Sequence, residues 1–161
     1  MMNLIAIAVI TVVMALFVYI SKRRIGIPIF ALAVGHFLGA LWVEEVVMVL
    51  QALGIYIVSP PLILLVAVVL SLAPALLVVG SGATYKKPSS RLVSAIIFGL
   101  TVAAFMVTPF AAYGTTLAEA SAAYDMLSLY APIIMTGGVL LGLADILLTK
   151  THKPPKDDAK H

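Results

Sequence analysis

The sequence contains no cysteine and few charged residues. With no thiol in its 161 residues, the chain can form neither a disulfide nor a thiolate zinc site, and it offers no attachment point for palmitate or a lipoprotein anchor. Charged residues make up 11% of the chain and hydrophobic residues 63%, whereas soluble domains hold roughly 25% and 45–50%. A soluble chain of this size could not bury so much apolar surface, so lipid must be its solvent.

Catalytic and nucleotide-binding motifs are also missing from the sequence. It contains no H-E-x-x-H, G-x-S-x-G, Walker loop or C-x-x-C pattern. We therefore expect no enzymatic activity, no catalytic residue, no cofactor and no metal site. The isoelectric point of about 9.3 does not indicate nucleic-acid binding, because the few basic residues lie where membrane topology requires them.

Five apolar runs predict an all-α polytopic transmembrane helix bundle. At a rise of ~1.5 Å per residue, about 20 residues cross a hydrocarbon core of ~30 Å. The predicted spans are residues 2–20, 27–43, 60–80, 92–110 and 132–149, within a single domain of residues 1–149. We expect Pro109 to close the fourth span and Pro132 to open the fifth. The polar residues 150–161 predict a disordered cytoplasmic tail.

The segment that follows Trp42 is compatible with two models. In the first, a single long tilted helix covers residues 28–53. In the second, a short span bends near Trp42 and continues as an amphipathic helix over residues 44–54 in the outer membrane interface. Glu44 and Glu45 favour the second model, because carboxylates and tryptophan are both suited to the interface.

The distribution of basic residues predicts the orientation of the bundle. All ten Lys and Arg residues follow the first, third or fifth span, and the intervening loops carry only acidic charges. The positive-inside rule therefore places the N-terminus outside and the C-terminus in the cytoplasm. We expect a multi-pass protein of the bacterial inner membrane, in contact with the lipid bilayer and with membrane-protein partners or further copies of itself.

Small and polar residues recur along each run at helical spacing. Such stripes let helix backbones approach closely and let hydroxyl groups bond across helices. We expect bundle packing from them, and the alternative is a narrow solute path lined by hydroxyls. The stripes are Ala8/Thr11/Ala15, Gly35/Gly39, Ala67/Ser71/Pro74, Ser94/Thr101/Thr108 and Gly138/Gly142/Asp145/Thr149.

Asp145 is the principal candidate for a functional residue. It lies near the inner end of the fifth run, residues 133–149, which we take as the element that organises the others. An ionisable group at membrane depth is costly and is a functional hypothesis by default. One alternative is structural, with the carboxylate paired to Lys150 or to a loop arginine or reaching headgroups. The others are a proton or ion role and a contact with a partner.

Three further candidates are His36, Glu44 and Glu45. His36 lies in the middle of the second span, where it either hydrogen-bonds a neighbouring helix or relays protons with Asp145. Glu44 and Glu45 are adjacent and point about 100° apart on a helix, so they cannot face one substrate as an acid/base pair. Solvation in the interface is their expected role, with cation binding or a partner contact as alternatives.

From residue 21 to residue 108 the order of features resembles the colicin V production protein family of small polytopic inner-membrane proteins. The resemblance rests on a basic turn into glycine, Lys22-Arg23-Arg24-Ile25-Gly26, and on a short glycine-bearing second span. It also rests on Leu72-Ala73-Pro74-Ala75, which ends the third span, and on Arg91-Leu92 with Ala95 and Gly99, which opens the fourth. The family commonly has four spans. The resemblance implies a protein without known chemistry, linked to secretion or envelope homeostasis.

Two functions are compatible with the sequence. The first is a non-enzymatic membrane protein that acts through partners in envelope homeostasis or secretion. The alternative is a small transporter or channel component for protons or a small solute. Five spans do not divide into an inverted pair, which counts against the alternative unless the protein forms oligomers.

Overall fold

The computed structural model describes residues 2–58, 61–81, 84, 88–114 and 122–150, and these residues form five α-helices. Within these ranges, α1, α2, α4 and α5 are long and apolar enough to cross a membrane, and α3 is a shorter apolar helix of 17 residues. The prediction of an all-helical, membrane-type chain is therefore confirmed. The helices are α1 (Met2–Ser21), α2 (Gly26–Ala52), α3 (Leu62–Val78), α4 (Pro88–Tyr113) and α5 (Ala122–Lys150).

α2 is one continuous helix of 27 residues, so the preferred model with a bend near Trp42 is wrong. The helix continues because its second half is held by packing against α3. Val43 and Val47 lie in one buried cluster with Leu62 and Val66 of α3. Residues 44–52 are therefore part of a helix pair rather than a separate interfacial helix.

Two predicted helix boundaries at prolines are also wrong. Pro109 lies within α4, which continues to Tyr113, and Pro132 lies ten residues inside α5, which begins at Ala122. An internal proline removes one hydrogen bond and frees a carbonyl, but in membrane bundles neighbouring helices and side chains offset this loss. The sequence also predicts a capping box from Thr116 to Glu119 at the start of a short surface helix, and both residues lie outside the described ranges.

The centre of the bundle is α4, and not α5 as expected from the sequence. The most apolar stretch of α4 is 67% buried, whereas the corresponding stretch of α5 is 17% buried. Phe98, Val102 and Met106 of α4 are fully enclosed. α4 packs mainly on α1 and α5, while α2 packs mainly on α3 and also contacts α5. The interior of the bundle is consequently apolar along most of α4.

Small residues of the predicted stripes lie at several of the close helix contacts. Gly35 and Gly39 of α2 face Ser71 of α3, and Gly138 of α5 faces Thr101 of α4. Thr11 and Ala15 of α1 lie against Gly99 of α4. The expectation of bundle packing is wrong for two residues of the stripes, Ala8 and Thr108, because both are exposed. The side chain of Thr149 lies outside the described residues.

In the described part of the chain, the hydroxyl hydrogen bonds run within single helices and not across helices as expected. Thr101 donates its hydroxyl hydrogen to the carbonyl of Ile97 at 2.8 Å, and Thr136 donates to Pro132 at 2.8 Å. Both acceptors lie one turn earlier in the same helix, which is the usual alternative for these side chains. Close backbone approach, rather than hydroxyl bonding between helices, therefore accounts for the described contacts.

The two ends of the bundle differ in character. At one end, which we call the basic end, Arg23 forms an isolated antiparallel bridge with Thr84, and Arg24 contacts Asp145. The connections α1–α2 and α3–α4 and the C-terminal part of α5 thus lie together. At the opposite end, which we call the far end, Asn3 lies close to Gly114. Arg23 and Arg24, which follow α1, are therefore close in space to Thr84 and Asp145.

Candidate functional site

The connection between α1 and α2 is a four-residue turn at the basic end. Lys22 adopts a left-handed conformation with φ of 58°, which reverses the chain directly after α1. The hydroxyl of Ser21 donates to the carbonyl of Val18 at 2.8 Å and so satisfies one carbonyl at the end of α1. The turn therefore begins α2 close to where α1 ends and fixes the position of Arg24.

The start of α2 is capped by a side chain from α5. The residue before the helix, Ile25, has no side chain able to accept a hydrogen bond from the first backbone N–H groups. Instead, the N–H of Gly26 donates to Oδ2 of Asp145 at 3.1 Å. Pro28 removes a second orphan donor because proline has no N–H. A carboxylate at this position also interacts favourably with the positive end of the helix dipole.

Arg24 approaches the same carboxylate from the turn. Its Nη1 lies 3.5 Å from Oδ1 of Asp145 and 3.4 Å from the backbone carbonyl oxygen of Asp145. The two side chains are partly shielded from solvent, with exposed fractions of 32% for Arg24 and 17% for Asp145. The positive guanidinium group also lies near the C-terminal part of α5, where a cation is favourable.

Two glycines permit this arrangement of Arg24, Gly26 and Asp145. A Cβ at Gly26 would lie 2.6 Å from the carbonyl oxygen of Gly142 and 2.7 Å from Cγ1 of Ile146. A Cβ at Gly142 would lie 3.1 Å from Ile29. The backbones of α2 and α5 therefore come into contact one turn before Asp145, and any larger residue at Gly26 would push the carboxylate away from the helix it caps.

The arrangement of Arg24, Gly26 and Asp145 supports a structural role for Asp145. Each carboxylate oxygen faces a donor: Oδ1 faces the guanidinium group of Arg24, and Oδ2 accepts the N–H of Gly26 at the start of α2. Among the described side chains, the structure contains one of the sequence alternatives, the pairing of Asp145 with a loop arginine. We call the three residues Arg24, Gly26 and Asp145 the α2–α5 clamp.

His36 does not reach Asp145. The carboxylate lies at Gly26, and His36 follows ten residues later on the same helix, which is ~15 Å along the axis. Its ring instead packs edge-on against Phe105 of α4, with ring centres 5.1 Å apart. Among the described residues the imidazole has no hydrogen-bonding partner. The structure therefore contains no direct contact between His36 and Asp145, the two residues of the alternative in which they relay protons.

A small cavity adjoins His36. It has a volume of about 170 Å³ and lies between α2, α3 and α4, with Ser71, Thr108 and Tyr113 among its lining residues. Much of the lining is small and apolar, including Gly39 and Pro109. The cavity is large enough for a few water molecules, since one water occupies ~30 Å³ of liquid.

Glu44 and Glu45 are exposed on α2, far from the α2–α5 clamp. Glu44 lies 18 residues after Gly26, or ~27 Å along the helix. This distance is close to the thickness of a hydrocarbon core, so the two glutamates lie near the far end. In the described residues no three His, Asp or Glu side chains gather in a group that could hold a metal ion.

The role of Gly26 could not be read from the sequence, although a partial signal exists. A helix that begins with Gly-x-Pro and lacks Ser, Thr, Asp or Asn before it needs an acceptor from elsewhere. Asp145 is a carboxylate on an apolar helix that also needs a donor. That Asp145 accepts the N–H of Gly26 can be recognised only once α5 is known to pack on α2.

No protein-family model, no curated protein and no solved structure matches the chain. The resemblance to the colicin V production family therefore stays an expectation from the sequence.

Proposed function

We propose that the chain is a five-span protein of the bacterial inner membrane that has no enzymatic activity and acts through protein partners, in envelope homeostasis or secretion. The observation that carries this proposal is the closed, apolar interior along α4, where Phe98, Val102 and Met106 have no exposed surface. Among the described residues of α4 the buried polar side chains are Ser94 and Thr101, so its buried face offers no continuous polar route. The outer surface is then the part of the molecule available for function.

The α2–α5 clamp supports the same proposal. In the clamp, a cation and a backbone donor balance the charge of the one carboxylate in the fifth span. This contact stabilises the packing of α5 on α2. The membrane orientation is part of the proposal. Lys22, Arg23 and Arg24 lie in the α1–α2 turn, and Arg91 lies in the first turn of α4, all at the basic end. That end therefore faces the cytoplasm by the positive-inside rule.

The orientation is tested with reporters fused after Lys150. A fluorescent protein that matures only in the cytoplasm should be bright, and alkaline phosphatase, which needs an oxidising compartment, should be inactive. The matched control is the same pair of reporters fused after Gly114, at the far end, where the opposite result is expected. An active phosphatase after Lys150 contradicts the orientation.

The partner is tested by purification of the tagged chain from native membranes in mild detergent, with quantitative mass spectrometry. A second polytopic inner-membrane protein with the same tag, expressed at the same level, is the control. A protein enriched in near-stoichiometric amount with this chain alone is the expected result. Recovery of this chain alone, in folded form, contradicts action through a partner.

Transport of protons or a small solute is the second candidate. The cavity beside His36, with hydroxyls from Ser71 and Thr108 in its lining, is the observation that favours it. Flux in proteoliposomes separates the two candidates, with wild type beside His36→Ala and Asp145→Asn. Our proposal predicts no flux in any of the three samples. A flux that His36→Ala abolishes would establish transport instead.

A further inference from the structure

α2 is longer than the hydrocarbon core that it crosses. Its 27 residues extend ~40 Å, whereas a core measures ~30 Å. The α2–α5 clamp fixes the start of the helix at the basic end. Glu44 then lies ~27 Å from that start. The residues that follow the glutamates must therefore extend beyond the core unless the helix is steeply tilted.

The neighbouring helices mark the same level independently. Tyr113, the last residue of α4, packs against the buried cluster of α2 and α3 that contains Val43 and Val47. The next residue, Gly114, lies close to Asn3 near the start of α1. The far ends of α1 and α4 are thus level with Val43 and Val47. Residues 48–58, which we call the α2 tip, project past that level.

The α2 tip is exposed except for Leu50, which packs against the cluster of Val43 and Val47, and it is apolar except for Gln51. No charged residue occurs between Glu45 and Lys86. Leu53 and Tyr56 each have an exposed fraction of 73%, and that of Val58 is 89%. Water is a poor environment for such a surface, because each exposed aliphatic side chain forgoes the gain of burial.

The backbone conformation of the α2 tip shows that the tip does not lie in the hydrocarbon core. α2 ends at Ala52, and Gly54, with φ of 81°, turns the chain. The N–H of Ile55 still bonds back to the carbonyl of Leu50 at 3.0 Å, and residues 55–57 then follow without helix or strand. Irregular backbone exposed to lipid does not occur inside the hydrocarbon core, because its polar groups would have no partners.

The headgroup layer satisfies both requirements, since it supplies water and polar partners to the backbone and apolar contact to the side chains. We propose that the α2 tip is an anchor that inserts into the headgroup layer of the bilayer at the far end. The partner of this surface is lipid. Tyr56 is suited to this layer, as is Trp42, which lies just before the two glutamates on α2.

Continuity with the lipid-facing surface of α2 favours lipid over a protein. Phe37, Leu41 and Met48 are all exposed and lie on one stripe of the helix. Glu44 is exposed on the same stripe between Leu41 and Met48 and marks the level where hydrocarbon gives way to headgroups. The stripe that lipid covers therefore leads directly into the tip.

The absence of cysteine makes a depth measurement direct. Single cysteines at Leu53, Tyr56 and Val58 each carry a nitroxide, and purified protein is placed in liposomes of lipid alone. Collision with oxygen, which concentrates in hydrocarbon, is compared with collision with a water-soluble nickel complex. Phe37→Cys supplies the lipid-facing reference and Ser81→Cys, exposed at the basic end, the aqueous one.

The expected oxygen-to-nickel ratio at the three tip positions is several-fold above that at Ser81 and clearly below that at Phe37. A ratio equal to that at Ser81 overturns the proposal and leaves a protein partner or open water as the environment of the tip. A ratio equal to that at Phe37 also overturns it, because the tip would then lie in hydrocarbon.

Trp42 allows the same test without any substitution, since it is the single tryptophan of the chain. Lipids brominated near the carbonyl end of the acyl chain should quench its fluorescence more than lipids brominated near the methyl end. The reverse order would mean that α2 is tilted enough to draw the tip into the core, which contradicts the anchor.

Discussion

Asp145 of α5 accepts the backbone N–H of Gly26, the first residue of α2, across 119 positions of sequence. A helix start that lacks a cap of its own is thereby satisfied by a helix that comes last in the chain. Arg24, in the turn before α2, balances the charge of the same carboxylate. The contact ties the α1–α2 turn to α5, and it accounts for a carboxylate within the apolar stretch of α5.

Loss of the Asp145 carboxylate should destabilise the fold. Asp145→Ala removes the cap and the ion pair and should lower the free energy of unfolding by about 1–2 kcal/mol, as for other charged caps. Asp145→Asn keeps an acceptor for Gly26 and should cost less than half of that amount. Reversible unfolding in mixed micelles measures both. Asp125→Ala, at an exposed acid in the first turn of α5, is the control, and an equal loss there would remove the special status of Asp145.

Substitutions at three glycines should rank by the space around each. Gly26→Ala places a methyl group 2.6 Å from the carbonyl oxygen of Gly142, and Gly142→Ala places one 3.1 Å from Ile29. Gly137→Ala meets nothing within 4 Å. Overpacking should lower the free energy of unfolding by about 1–3 kcal/mol for Gly26→Ala. The loss should be smaller for Gly142→Ala and absent for Gly137→Ala. Thermal unfolding in detergent gives the order, and a neutral Gly26→Ala would contradict the close contact of α2 and α5.

Gly35 should tolerate a methyl group less well than Gly39. At Gly35 the added Cβ lies 2.9 Å from the carbonyl oxygen of Leu70 and even closer to that of Ser71, both of which are backbone atoms. At Gly39 the nearest atom is the side-chain Oγ of Ser71 at 3.2 Å, which can rotate away. Gly35→Ala should therefore lower the unfolding temperature markedly and Gly39→Ala only slightly. The opposite order would show that α2 and α3 cross elsewhere.

A disulfide should form between positions 23 and 84. Arg23 and Thr84 face each other in an antiparallel bridge, and directly opposed residues have Cβ atoms ~4.5–5.5 Å apart. The double variant Arg23→Cys/Thr84→Cys should crosslink on mild oxidation, visible as a mobility shift that a reductant reverses. In the matched control, Arg23→Cys/Gly54→Cys, the two cysteines lie at opposite ends of the bundle and should stay reduced. If the thiols at positions 23 and 84 are both reactive but form no disulfide, the conclusion that these residues lie together at the basic end is wrong.

The apolar runs were enough to predict the helices, but not where the helices begin and end. In water a proline often ends a helix, because solvent can hydrogen-bond to the backbone groups that the proline frees. Within a lipid bundle that solvent is missing, and the helices continue past Pro109 and Pro132. The continuation of α2 past Trp42 depends on Val43 and Val47 meeting α3. Such a contact is a property of the assembled helices, which hydropathy along one segment does not record.

The candidate site was predicted only in part, for a similar reason. Asp145 was identifiable because a carboxylate on an apolar helix needs a partner, and a loop arginine was among the alternatives. The role of Gly26 requires the packing of α5 on α2 through Gly142. The central position of α4 was not evident, since its composition resembles that of the other spans and only contacts from both sides distinguish it.

Because α1 packs on α4 rather than on α2, it meets its partner only after α4, which ends at residue 113, has been synthesised. Thr11 and Ala15 then find Gly99, nearly ninety residues later in the chain. Until that moment α1 remains in the membrane unassembled, shielded by lipid or by the insertion machinery. Chains that terminate before α4 would carry a permanently orphaned α1, so assembly of this helix reports on completion of the protein during biosynthesis.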